Sequence, residues 1–179
     1  MKFNLFTGLA MLCMIISNST FAANAAPFGQ ELGLSTYAQV KQQVGGKTSL
    51  SDAGTNKFSG GKMLQGDGDG LGIEGLSGVT FIFDRTDKLV GVLMNLPKES
   101  FKPTLKALSA KYKLVSSEVP FVGNASAKLK LGDSVVELNA PHMSFTMEVL
   151  YLTNSLKQAF QQQSSNERAA KDKKQADMF

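Results

Sequence analysis

Gly66-Asp67-Gly68-Asp69-Gly70-Leu71-Gly72-Ile73-Glu74 places two carboxylates two residues apart in a glycine-rich stretch with a glutamate beyond them, the residue types that calcium takes as ligands. The spacing fails for an EF-hand: the third ligand position is Leu71, and Glu74 arrives too early to close the coordination shell. A turn-rich connection is expected instead, in which glycine and aspartate supply positive φ angles, with no metal bound. Gly45-Gly46-Lys47-Thr48 contains the Gly-Lys-Thr of a phosphate loop, but it ends a helical pattern rather than opening one, and the upstream glycine is missing. His142 is the single histidine and Cys13 the single cysteine, so a metal centre built from several such ligands is excluded. Ser144 and Glu148 lie near His142 on one face of a strand, yet the chain contains no Gly-x-Ser-x-Gly elbow. His142 is therefore expected to begin a strand after Pro141 and to hydrogen-bond locally, and neither a catalytic residue nor a cofactor is expected.

The remaining candidates are binding groups. At about 100° per residue, Lys102, Lys106 and the following Lys113 fall on one flank of an apolar helical stripe, with Lys98 close by. With His142 they are the candidate ligand contacts, suited to an anionic lipid head group or glycan; as a plain solvated face they would only keep the helix soluble. Phe81, Phe83, Phe101, Phe121 and Phe145 are expected in the core, and a carrier protein would need some of them to line an open cavity rimmed by Lys102 and Lys106.

Several elements must position these groups. Ser35 or Thr36 caps a short helix to about Val44, with Gln39 in the capping-box place for Thr36 and Tyr37, Val40 and Val44 on one face. Residues 47–78 read as one or two short strands and long loops. Val79, Phe81 and Phe83, then Val90, Val92, Met94 and Leu96, alternate with other residues around a turn at 84–88, which predicts a β-hairpin. Pro97 ends it, and Ser100 is expected to cap a second helix to about Tyr112 with Phe101, Leu105, Leu108 and Tyr112 as its buried stripe. A meander follows through 125–131 and 136–140. Its last strand carries Met143, Phe145, Met147, Val149 and Tyr151 on one side, and a third helix starts near Ser155 and loses its apolar residues after Phe160. The predicted fold is α+β and two-layer, an antiparallel sheet with helices on one face. Residues 28–96 and 97–152 share the order of helix then meander, which predicts an internal duplication within one domain over 23–160. Residues 161–179 are too polar to add to a core and form a helical extension or a disordered tail.

The first 22 residues read as a cleaved secretory leader: Lys2, an apolar run from Leu5 to Ile16, then small polar residues up to Ala22. Cleavage after Ala22 is slightly favoured over cleavage after Ala25, where Ala23 and Ala25 give the A-x-A form. Leu12 ahead of Cys13 departs from the lipoprotein pattern, so the exported chain is expected to be cysteine-free, unlipidated and periplasmic, with no membrane-spanning segment. The whole chain has 19 Lys and Arg against 15 Asp and Glu, but Ala23 to Leu156 hold 13 against 12, which argues against a nucleic-acid partner. Gly33-Leu34-Ser35, Val40 and Val44-Gly45 resemble the opening of the small BamE/SmpA-like envelope domains, though the step from Gly33 to Val40 is one residue longer here. The Phe28-Gly29-x-x-Leu32-Gly33 opening and the 79–94 hairpin are similar to proteobacterial periplasmic proteins. The resemblance implies a helix on a short antiparallel sheet in the cell envelope and assigns no functional residue. A non-enzymatic binding or adaptor protein that holds a protein or envelope component is expected, with a carrier or sensor of a small apolar or anionic ligand as the alternative.

Overall fold

The computed structural model describes residues 23–176 and Met178; the leader expected over residues 1–22 lies outside them. In chain order the elements are α1 (Tyr37–Gln43), β1 (Ser51–Thr55), β2 (Gly60–Gly66), β3 (Gly78–Asp84), β4 (Leu89–Pro97), α2 (Phe101–Ser109), β5 (Lys113–Glu118), β6 (Ala125–Leu131), β7 (Ser134–Ala140), β8 (Thr146–Thr153) and α3 (Asn154–Ala176). All eight strands form one antiparallel sheet in the order β1-β2-β3-β4-β8-β7-β6-β5. The fold is α+β. Each helix-led stretch ends in a strand at the sheet centre, where β4 and β8 pair from Gly91 with Leu152 to Pro97 with Thr146.

The strand alternation read from the sequence becomes continuous rows of side chains. Leu64, Phe81, Val92, Tyr151, Val136 and Leu129 lie in register across six strands, and Val79, Met94, Val149, Leu138 and Ala127 form the next row. All are buried, and each large one stabilises the fold by about 1.5–3 kcal/mol. Phe83 continues this face and meets Tyr37 of α1 edge-on at 5.2 Å between ring centroids. Thr36 and Gln39 form the expected capping box, Gln39 N donating to Thr36 Oγ1 and Thr36 N to Gln39 Oε1. Val40 and Val44 are buried beneath α1.

Ser100 does not cap α2 as expected. Its backbone is already helical and its side chain makes no capping bond, because a short 3-10 turn over Lys98–Ser100 feeds straight into the helix. Phe101 and Leu108 bury the helix on the core face, and Tyr112, past the end of α2, stands edge-on to Tyr151 at 6.3 Å. Burial pushes the Tyr151 hydroxyl well above the usual tyrosine range, with a contribution from neighbouring Tyr112.

Ahead of α1 a clasp closes the core. Asn24 Nδ2 donates to the Leu32 carbonyl at 3.0 Å, the Asp133 amide donates to Asn24 Oδ1 at 2.7 Å, and the Ala25 amide donates to Ser134 Oγ at 2.8 Å. Ala25 and Leu32 are fully buried.

The third helix corrects the expectation that all helices lie on one face. Thr153 Oγ1 accepts the Leu156 amide and starts α3, which then runs over the reverse of the sheet. There Met63, Ile82, Gly91, Leu152 and Val135 form one row, and Gln65, Thr80, Leu93, Leu150, Glu137 and Lys128 the next. Leu156 rests on Gly91, where a Cβ would stand 2.9 Å from Leu156 Cδ2, so a side chain here would have to push the leucine aside. From Gln161 onward α3 is mostly exposed, so the polar tail takes the helical form of its two expected forms.

Candidate functional site

The glycine-rich stretch forms the turn-rich connection expected of it. Asp67 accepts the Thr48 hydroxyl at 2.8 Å and the Asp69 amide at 3.3 Å. Gly70 sits at φ +79°, where a Cβ would fall 2.2 Å from the Lys47 carbonyl oxygen.

His142 is exposed in the β7–β8 loop and not, as expected, at the start of a strand: β8 begins only at Thr146. Pro141 and the turn closed by the Ser144 amide on the Pro141 carbonyl end the ladder early. The ring's Nδ1 accepts the Gly123 amide at 3.3 Å, and the His142 amide donates to Asn124 Oδ1 at 2.8 Å. Ser144 shares its hydroxyl with Thr146 at 3.1 Å. His142 and Ser144 are thus loop fasteners. The expected lysine flank is also divided. Lys102 and Lys106 are exposed on α2, whereas Lys113 has left the helix and lies opposite Lys130 on the β5–β6 ladder. Among the described residues, none of the three lines the cavity under α3 or the one beside α2.

The feature that sequence reading missed is the loop end where His142 sits. Phe121 is 105%, Val122 66%, Met143 89% and Phe145 93% exposed, with Val119 half exposed beside them. Phe121 and Phe145 were expected in the core. They lie beyond the sheet because the alternation of Met143, Phe145, Met147, Val149 and Tyr151 runs on past the point where Pro141 and its turn let pairing begin. A proline and a glycine, Pro120 and Gly123, bracket Phe121 and Val122 in the same way, and these breakers are the signal that could have found the site.

The two loops are fixed, not loose. Lys98 Nζ donates to the Pro141 and His142 carbonyls at 2.6 and 2.8 Å, and the Lys98 amide donates to the Phe145 carbonyl at 2.9 Å. Together with the His142 bonds to residues 123 and 124, these tie the β5–β6 and β7–β8 loops to each other and to the end of β4. Apolar side chains are thereby held out in water on a braced backbone.

A concavity lies under α3, on the reverse of the sheet. It encloses about 580 Å³, floored by Ile82, Leu150 and Leu152 and walled by Phe58, Leu156 and Phe160. Phe58 and Phe160 meet edge-on at 4.9 Å, and Lys57 pairs with Glu167 at 3.2 Å, so the helix is strapped to the β1–β2 turn. Lys157 of α3 pairs with Glu137 of β7, and Lys128 of β6 lies opposite Glu137 in register. Lys157 holds its proton above the usual lysine range: burial pushes it down, but the Glu137 carboxylate, which accepts its hydrogen bond, outweighs that. Lys128 is pushed below its usual range, chiefly by Lys157.

Among the described residues no helix is long and apolar enough to cross a membrane. No family model matches the chain, and neither does any curated protein or any solved structure.

Proposed function

We propose that the protein is an exported, non-enzymatic binding module of the bacterial cell envelope that holds a protein or another envelope component at its braced loop end. The observation that carries this reading is the near-complete exposure of Phe121, Met143 and Phe145 on loops fixed by hydrogen bonds. Two phenylalanines, at roughly 150–250 Å² apiece, already reach the few hundred Å² at which an exposed apolar patch marks an interaction site. Fixed loops also lose little freedom when a partner covers them, so more of the burial energy appears as affinity. The leader-like first 22 residues support the compartment. The order of α1 then β1–β4, and α2 then β5–β8, supports a further reading, that residues 28–96 and 97–152 are diverged copies of a two-layer helix-and-meander unit.

The test is site-specific photocrosslinking in intact cells from position 121 or 145, with Leu34, an exposed leucine beside α1, as the control. Adducts of one discrete mass from 121 and 145, and not from 34, are expected. Equal labelling from all three positions, or none from the loop end, would sink the reading.

A further inference from the structure

The sheet ends in two outer strands, β1 and β5, and their free edges are built differently. On β1 the Asp52 carboxylate accepts the Gly54 amide at 2.7 Å, Gly54 turns to φ +79°, and the ladder to β2 slips between Asp52 and Thr55, so this edge offers no straight run of main-chain groups. β5 is the opposite case. All six of its residues are exposed, no proline interrupts it, and its outer side pairs with nothing among the described residues. Its charges are unmatched as well. Lys113 lies directly opposite Lys130 of β6, a like-charge pair that disfavours the ladder, and neither Lys113 nor Glu118 makes an ion pair among the described residues.

We propose that β5 pairs antiparallel with β5 of a second copy of this chain, about a two-fold axis, joining the two sheets into one. The strand's own sequence selects the register, because residues that face each other across a ladder must lie on the same side of the sheet. Leu114 and Ser117 share the core side with Leu129 and Ala127, while Lys113, Ser116 and Glu118 share the reverse with Lys130, Lys128 and Ser126, Val115 being the extra residue of a bulge. Setting Lys113 against Glu118 of the second copy then puts reverse against reverse, and it sets Leu114 against Ser117, core side against core side. A shift of one residue either way would set Lys113 against Ser117 or Glu118 against Leu114, which mixes the sides. The matching register brings an ion pair to each end of the contact and gives Lys113 a carboxylate on the side away from Lys130. Such a fit is self-complementary, as a two-fold contact between identical copies requires. It is also independent of the loop end, since antiparallel pairing leaves a bare Phe121 free at each end of the contact.

The test is sedimentation equilibrium of the purified protein over a range of concentrations, with its charge variants. A monomer–dimer equilibrium is expected. Lys113→Glu and Glu118→Lys should each weaken it about tenfold or more, because either change turns attraction into repulsion at both ends of the contact. The double variant carries the same two charges exchanged and should restore the native association, a rescue that misfolding could not produce. Phe121→Ser should leave the equilibrium unchanged. A monomer at every concentration would overturn the second copy as occupant and leave the edge to a strand of another protein. A dimer that the double variant fails to restore would overturn the register, and a dimer lost in Phe121→Ser but untouched by the charge variants would move the contact to the loop end and overturn the pairing of β5.

Discussion

Phe58 and Phe121 occupy matching places, in the connections β1–β2 and β5–β6 that join the first two strands of each meander. At the first, Phe160 of α3 stands edge-on to Phe58, Lys57 pairs with Glu167, and the Ser59 hydroxyl donates to the Phe83 carbonyl. At the second, nothing from the described residues covers Phe121. The outer strands differ in the same sense: β1 is Ser-Asp-Ala-Gly-Thr, polar and small, whereas β5 leaves Leu114 and Val115 about half exposed beside the loop end. Among the described residues one C-terminal helix serves two such connections, so one aromatic turn is shielded and the other is left bare. An apolar group that is covered contributes to folding; one left bare on a rigid loop is available for association.

Removing the cover should make the first connection behave like the second. Phe160→Ala is expected to cost about 1–2 kcal/mol, from the lost aromatic pair and the partly exposed ring. Urea unfolding checks this, and an apolar dye should bind the variant more strongly than the native protein. Unchanged stability and dye binding would mean that α3 does not shield Phe58 in solution.

The covered end has polar support as well. Asp84 accepts the amides of Thr86 and Lys88 at 2.8 and 2.9 Å and the Thr86 hydroxyl at 2.8 Å, which closes the β3–β4 turn beside Phe58. Partial burial pushes this carboxyl up, but those bonds and the Lys88 charge outweigh it and hold it below the usual 3.8. A group with a folded pKa below its unfolded one contributes stability above the unfolded value and loses it as the pH falls through the folded one. Asp84→Asn is therefore expected to cost about 1 kcal/mol at neutral pH, with a smaller penalty below pH 3.8. Melting curves across pH 2–7 measure both, and a penalty independent of pH would assign the effect to geometry alone.

The smallest effect belongs to the bare end. Phe121→Ser should change unfolding free energy by less than about 0.5 kcal/mol, because the ring touches little that folding needs. A loss of more than 1 kcal/mol in urea unfolding would show that the ring is packed after all, and the contrast between the two connections would collapse.

Much of the scaffold could be read from the sequence because local rules and the fold agree there. Thr36 with Gln39 marked α1, and the alternation through 79–96 marked the hairpin that became β3 and β4. The face taken by α3 was hidden, since Leu156 and Phe160 fit either side of a sheet and only the missing side chain at Gly91 favours the reverse. The site residues were misread for a related reason. A period-2 pattern reports which side a residue would face if paired, not where pairing stops, so Met143 and Phe145 looked like continuations of Met147 and Val149. Lys157, which pairs with Glu137, comes from α3, far from β7 in sequence, and no local spacing brings the two together.

The clasp at Asn24 bears on the proposed export of the chain. A leader cut after Ala22 leaves Asn24 and the Ala25 amide in place to hold Leu32, Asp133 and Ser134. A cut after Ala25 would remove both and leave the partly buried Leu32 carbonyl and the buried Ser134 hydroxyl without these partners. If the proposed leader is removed, the fold thus adds to the slight preference for the Ala22 site, and a chain trimmed three residues further would begin with its first fastening already undone.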